Sequence, residues 1–304
     1  MIQSLTVINY LDESFKMELR RPELSGFLIT DIRGIGPAKA SINTTEISTG
    51  DGSSYNSARL NARNIVLQFE LLPNPTVEDT RQLSYKYFPI KKKLTIVIET
   101  DNRLCEATGY VESNEPIIFA KQETIQISII CPDPYFYSAS EKDNNVTVFS
   151  GDEPALEFPF SNESLSEPMI EFGIMSNDNV KSVIYNGDAE IGITLTIHAI
   201  GPASNITIYN SGTGESMSID TKKIETLTGS GLVFGDDIII TTVKRNKSIR
   251  LLRAGKYTNI LNCLNKNADW FQLAKGDNVF RYTAETGAEN LQFKIENRTI
   301  FEGV

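Results

Sequence analysis

Apolar residues in this chain recur with a period of two, in short runs broken by Gly, Asn, Asp and Pro. That pattern restricts the chain to antiparallel β-structure, because a half-buried strand alternates where an amphipathic helix repeats every 3.6 residues. Ile2–Tyr10 and Phe15–Leu19 read as a hairpin around Leu11–Ser14, and Gly26–Ile32 as a third strand. Asn64–Leu71 puts Ile65, Leu67 and Phe69 on one face, and Leu94–Glu99, Leu104–Glu112 and Glu123–Cys131 follow. One helix interrupts the series over residues 75–88, with Asn74 as N-cap, Pro75 at its first position, acids in the early turns and Pro89 as its stop. Six or seven strands with one flanking helix pack as a sandwich or barrel.

The pattern fails in one long stretch. Gly34–Asn64 runs for about thirty residues with little apolar periodicity, unusually long for a loop in a compact domain. Ala40–Ile47 alternates weakly, and Gly34, Gly36, Pro37, Gly50 and Gly52 mark turns around it. The stretch reads either as a disordered loop or, as its spread apolar residues Ile35, Ile42, Ile47, Tyr55 and Leu60 favour, as a projecting two-stranded arm with unpaired edges and a half-apolar face that a partner subunit can cover.

A second break, Cys131-Pro132-Asp133-Pro134, removes two ladder donors. The aromatic run Tyr135-Phe136-Tyr137 after it reads either as a stacking platform or as an interdomain wedge. Ser138–Asn145 is polar and patternless, which places a boundary there and divides the 304 residues into 1–137 and 138–304. The second half returns to strands, at Val146–Phe149, Ala155–Phe160, Pro168–Ile174, Lys181–Tyr185, Gly192–Ala199, Asn205–Tyr209, Glu215–Ile219, Asp237–Thr241, Ser248–Leu252, Asn278–Tyr282 and Asn290–Ile295, with a short helix at Tyr257–Leu264. That spacing predicts an antiparallel sandwich such as a jelly roll, so the chain reads as all-β, two tandem β-sandwich domains.

Chemistry is sparse. The single histidine, His198, sits in a strand pattern without a nucleophile motif nearby, and Cys105, Cys131 and Cys263 lack metal or redox spacing. Asp236-Asp237 resembles a carboxylate pair, but neighbours on a strand point to opposite faces. Trp270-Phe271 reads as a core anchor continued by Leu273, or as a sugar platform. No catalytic residue, cofactor or metal is expected, and the net charge of −10 disfavours specific nucleic-acid binding. No run reaches the ~18–20 apolar residues of a membrane span, and the first residues lack a signal-peptide pattern, so a cytoplasmic folding site is expected. Function is then expected in surfaces: ring or filament assembly, a carbohydrate-binding adhesin, or a glycan-cleaving pair such as Asp236 with Glu225.

Three segments carry a family resemblance. GIGPAKASINTTEI followed by DGSSYNSARLNARNIVLQFELLPNP resembles the N-terminal domain of siphophage distal tail proteins, IICPDPYFY resembles the segment closing that domain, and ADWFQLAKGDNVFRY resembles their second domain. The resemblance implies a hexameric ring at the tail tip, built by N-terminal β-sandwiches, with galectin-like C-terminal domains outside. It implies partners in the tail tube protein, the tail-associated (tip) protein and receptor-binding or baseplate proteins, and DNA that passes the channel without specific binding. It implies a virion location, after assembly in the bacterial host cytoplasm. Carried over, Gly34, Pro37, Asn43, Thr44, Gly52, Tyr55, Asn56 and Arg59 fall on the ring-building arm, Pro132, Asp133, Pro134 and Tyr135 at the domain junction, and Trp270, Leu273, Gly276 and Asn278 in the outer sandwich.

Overall fold

The computed structural model describes residues 1–46, 50–140, 145–149, 152–153, 174–175 and 180–304. The chain divides into two compact units, Met1–Asp143 with Ile300–Val304, and Asn144–Thr299. Both are β-structures, as the alternation requires.

In chain order the first unit holds β1 (Ile2–Ile8), β2 (Ser14–Glu18), α1 (Pro22–Ser25), β3 (Phe27–Arg33), β4 (Ala40–Glu46), β5 (Ser53–Leu60), β6 (Arg63–Leu71), α2 (Val77–Tyr87), β7 (Lys93–Thr100), β8 (Leu104–Ile117), β9 (Thr124–Cys131) and β10 (Phe136–Ser138). One antiparallel sheet runs β2-β1-β7-β8-β9-β6-β3. Alternation puts Leu5 and Val7, Ile65, Leu67 and Phe69, Ile96 and Ile98, and Ile125, Ile127 and Ile129 on its inner face, each at most 1% exposed. The sheet curls until its end strands meet across Phe15 and Phe27, whose ring centroids are 5.7 Å apart edge to face. β8 is long enough to serve two neighbours in succession, β10 at Cys105–Glu106 and β9 from Tyr110 to Ile117.

Helix α2 closes the core with Val77, Leu83 and Tyr87. Its N-cap is Thr76, whose Oγ1 accepts from the Asp79 amide at 3.1 Å, not Asn74 as expected. Asn74 instead donates to the Leu24 carbonyl. Proline two residues before the true start masked the better cap. Within the Tyr135–Tyr137 run Phe136 is fully buried in the first unit's core, and Ser138, placed in the boundary by its polarity, ends β10 and is buried. A short strand, Ile300–Phe301, returns from the far end of the sequence to pair with β10.

Among the described residues the second unit has two larger sheets, beside two two-stranded ones, Asp152–Glu153 with Ile174–Met175 and Ile191–Gly192 with Gln272–Leu273. One has six strands in the order Asn145–Phe149, Leu291–Asn297, Thr194–Ala199, Asp236–Thr241, Ser248–Arg253 and Lys256–Asn259. The other has four: Val180–Tyr185, Gly276–Thr286, Ser204–Asn210 and Glu215–Ile219. Tyr282 of the smaller sheet stacks on Phe293 of the larger, centroids 3.9 Å apart, so the two sheets share one core. A helix not anticipated, α3 (Thr221–Thr228), starts at Asp220, whose side chain accepts from the amides of Lys222 and Lys223, and stops at Gly229 with φ 84°. The helix expected at Tyr257–Leu264 is a strand followed by a 3₁₀ turn, Leu261–Cys263. The strands expected at 155–160 and over 168–173 lie outside the described residues.

Candidate assembly arm

Strands β4 and β5 form a two-stranded sheet of their own, paired with each other and not with the nine-stranded sheet. Every described residue from Lys39 to Arg59 is exposed, and Leu60 is half-buried. Ile47 lies outside the described residues.

The register gives the arm two unlike faces. Ala40 pairs with Leu60, Ile42 with Ala58, Thr44 with Tyr55 and Glu46 with Ser53, so Ile42, Tyr55, Ala58 and Leu60 share one face. Ser41, Asn43 and Thr45 share the other with Ser57 and Arg59. Tyr55 is three residues before Ala58, an odd spacing that would put the two on opposite faces of a regular strand. A bulge at Asn56 between the pairs Asn43–Ser57 and Thr44–Tyr55 corrects this. The Asn56 side chain donates to Thr45 Oγ1 at 2.7 Å on the polar face. Ile42 is 65% and Tyr55 63% exposed, so the apolar face is uncovered in the single chain.

The base of the arm is organised by a residue the sequence reading passed over. Arg63 occupies a core-face position of β6, two residues before Ile65, and is 3% exposed. Its guanidinium lies over the Phe136 ring at 4.3 Å. It donates to four backbone carbonyls: Gly34 and Gly36 at 2.5 Å, Pro134 at 2.8 Å and Glu302 at 2.6 Å. A buried charge needs such partners, and a planar five-donor fork can reach several carbonyls at once. Burial pushes the Arg63 pKa below its ordinary value, with the neighbouring Cys131 acting the other way. The same burial raises the Cys131 thiol to about 11, against the pull of Arg63. The sequence signal is an arginine in phase with Ile65, Leu67 and Phe69, one residue before the strand expected at Asn64–Leu71.

Gly34 is required at this base. Its φ is 80°, and a Cβ there would lie 2.0 Å from the Asn64 carbonyl oxygen. Gly52 at the far end of the arm has φ 94°. Pro37, Asn43, Thr44, Gly52, Tyr55, Asn56 and Arg59 are all exposed on the arm or its approach. Asp133 turns the Pro132–Tyr135 segment back on the first unit, accepting from the Tyr135 amide and the Tyr137 hydroxyl, at 3.2 and 2.7 Å. Arg63 thus brings Gly34 and Pro134 together, whereas the rest of the arm set projects away from them. Leu273 is fully buried in the second unit, whereas Trp270 is only half-buried; Phe271, 1% exposed, lies in the core beside it in sequence.

The acids weighed for catalysis are otherwise engaged. Asp236 is 1% exposed and receives both Nε and Nη2 of Arg253, at 2.8 and 2.5 Å. Asp237 points to the other face and pairs with His198 Nδ1 at 2.6 Å across the strand register. The two neighbours therefore do not converge, and Glu225 is an exposed residue of α3.

No family model matches the sequence, and no curated protein matches it. The fold is similar to that of the SPP1 Dit protein (gp 19.1), whose crystal structure is described as a paradigm of the hub adsorption apparatus in phages infecting Gram-positive bacteria. The TM-score is 0.65 at 12% identity, over 97% of this chain and 98% of that one. Chains of the phage P2 baseplate in its activated conformation, with calcium and with strontium, align with TM-scores of 0.48 and 0.47 at 13% and 11% identity, covering 97–98% of each chain. At such identities the likeness is one of fold.

Proposed function

We propose that this chain is a structural hub of a phage tail tip or baseplate. In this reading six copies close a ring through the arm. The ring joins the tail tube protein on one side and the tail-associated (tip) protein on the other, with the second unit outside as a docking surface for receptor-binding or baseplate proteins. The observation that carries the proposal is the pair β4–β5, a sheet exposed up to Arg59 with one apolar face and unpaired edges, built on a base held by Arg63. Such a face is covered by a neighbour, and a contact between unlike patches repeated around an axis closes a ring. The shared fold with the SPP1 Dit protein supports the same reading. A net charge of −10 suits a conduit that lets DNA pass without adhering to it.

Negative-stain class averages of the purified full chain test the proposal. Six-fold rings are expected, whereas single-chain particles at every concentration would overturn it.

A further inference from the structure

The arm can grip a neighbour only if it points the right way, and little besides its base aims it. Its two strands pair only with each other, and its described residues up to Arg59 are exposed. Eight residues of strand make a lever of ~25 Å, so a 10° swing at the base moves the tip by ~4 Å. Packed contacts tolerate less than ~1 Å.

We propose that residues 300–304, which follow the whole second unit in the sequence, act with Arg63 as a lock that sets the direction of the arm. The proposal rests on the ring reading for its purpose, but not for its geometry. The Val304 amide donates to the Ile35 carbonyl at 3.0 Å. The Glu302 carbonyl accepts from the same Arg63 guanidinium that holds Gly34 and Gly36. Gly303 lies so close to the start of the arm that a Cβ there would sit 3.2 Å from the Ile35 oxygen. Arg103 holds the returning segment from the other side, with its guanidinium 4.4 Å from the Phe301 ring centroid. The chain entering the arm is thus clamped between β6 and a segment made after every residue of the second unit. Synthesis runs from the N-terminus, so the arm takes its working direction only after residue 304 has emerged. A first unit made alone keeps the arm's sequence and lacks its aim, which keeps incomplete chains out of the ring.

The test places spin labels at Ser57→Cys, on the polar face of the arm, and at Thr108→Cys, on exposed β8; the native cysteines are buried. All chains also carry Ile42→Ser and Tyr55→Ser, so that docking on a neighbour cannot itself order the arm. The label-to-label distance is compared in the otherwise unaltered chain, in one truncated after Thr299, and in Gly303→Val, which keeps the core residues Ile300 and Phe301. The lock predicts one narrow distribution in the first, and a broadened one, with its mean moved by ~4 Å or more, in both others. An unchanged distribution in Gly303→Val with an unchanged melting curve would overturn it, as would an unchanged distribution in the truncated chain. Failure of the unlabelled full chain to form rings would sink the ring reading alone, since the distances are measured on single chains.

Discussion

Replacing Ile42 and Tyr55 together by serine separates assembly from folding. In the single chain these side chains are 65% and 63% exposed, so their removal leaves the core intact. The stability of the first unit should change by no more than about 1 kcal/mol, the range of surface and strand-propensity effects. At a docked interface the outcome differs. A tyrosine offers ~150–250 Å², of which the exposed 63% is ~95–160 Å², worth ~2–4 kcal/mol at ~25 cal/mol per Å². The exposed part of Ile42 adds ~1–2 kcal/mol. Allowing for the contact serine retains and for ordering of the arm, ~2–4 kcal/mol per contact is lost, a ~30- to 1000-fold weakening. Light scattering coupled to size exclusion, across a concentration series, reads this as a shift of the assembly midpoint. Circular dichroism and a thermal melt read the fold. Asn43→Ala with Ser57→Ala on the polar face is the control and should move the midpoint far less. The reasoning is refuted if the apolar-face variant assembles like the parent, or if both faces matter equally.

Other outcomes follow from single sites. Gly34→Ala forces a side chain into a left-handed position already filled by the Asn64 carbonyl; a loss of ~3 kcal/mol or more, or a displaced arm, is expected by denaturant titration or proteolysis at the arm base. Asp236→Ala leaves the Arg253 guanidinium without its carboxylate and should cost ~3–5 kcal/mol in the second unit, readable by urea titration. The Cys131 thiol is raised from 9.0 to about 11, so the folded chain holds its proton where the unfolded chain has lost it. Stability should be unaffected below pH 9 and fall by roughly 1.4 kcal/mol per pH unit as pH rises towards 11, with Cys131→Ala flattening that limb.

What could be read from sequence was whatever repeats locally. β6 alternates without fault from Arg63 to Leu71, and β9, which pairs with it, alternates up to Ile127 before its buried run Ile127–Ile129. The arm was legible as a failure of that pattern flanked by glycines, and its two faces were partly so. Only pairing geometry revealed that the bulge at Asn56 returns Tyr55 to the side of Ile42. α3 was hidden because Thr221–Thr228 is rich in threonine and buries few residues, Ile224 chief among them, although Asp220 and Gly229 were visible caps. The lock was not legible, since Arg63 meets Gly34, Pro134 and Glu302 from separations of 29, 71 and 239 residues, and no local pattern records such meetings. Trp270 and Phe271 lie just before the short strand Gln272–Leu273, and the alternation that buries Leu273 extends back to Phe271 and not to the larger Trp270.

The mass of the purified chain in solution, taken by native mass spectrometry over a range of concentrations, tests most directly whether the arm grips a second copy. A species of six chains that disappears in the Ile42→Ser, Tyr55→Ser variant is the expected result. A single-chain mass throughout, with Tyr55 open to solvent and to protease, would contradict it.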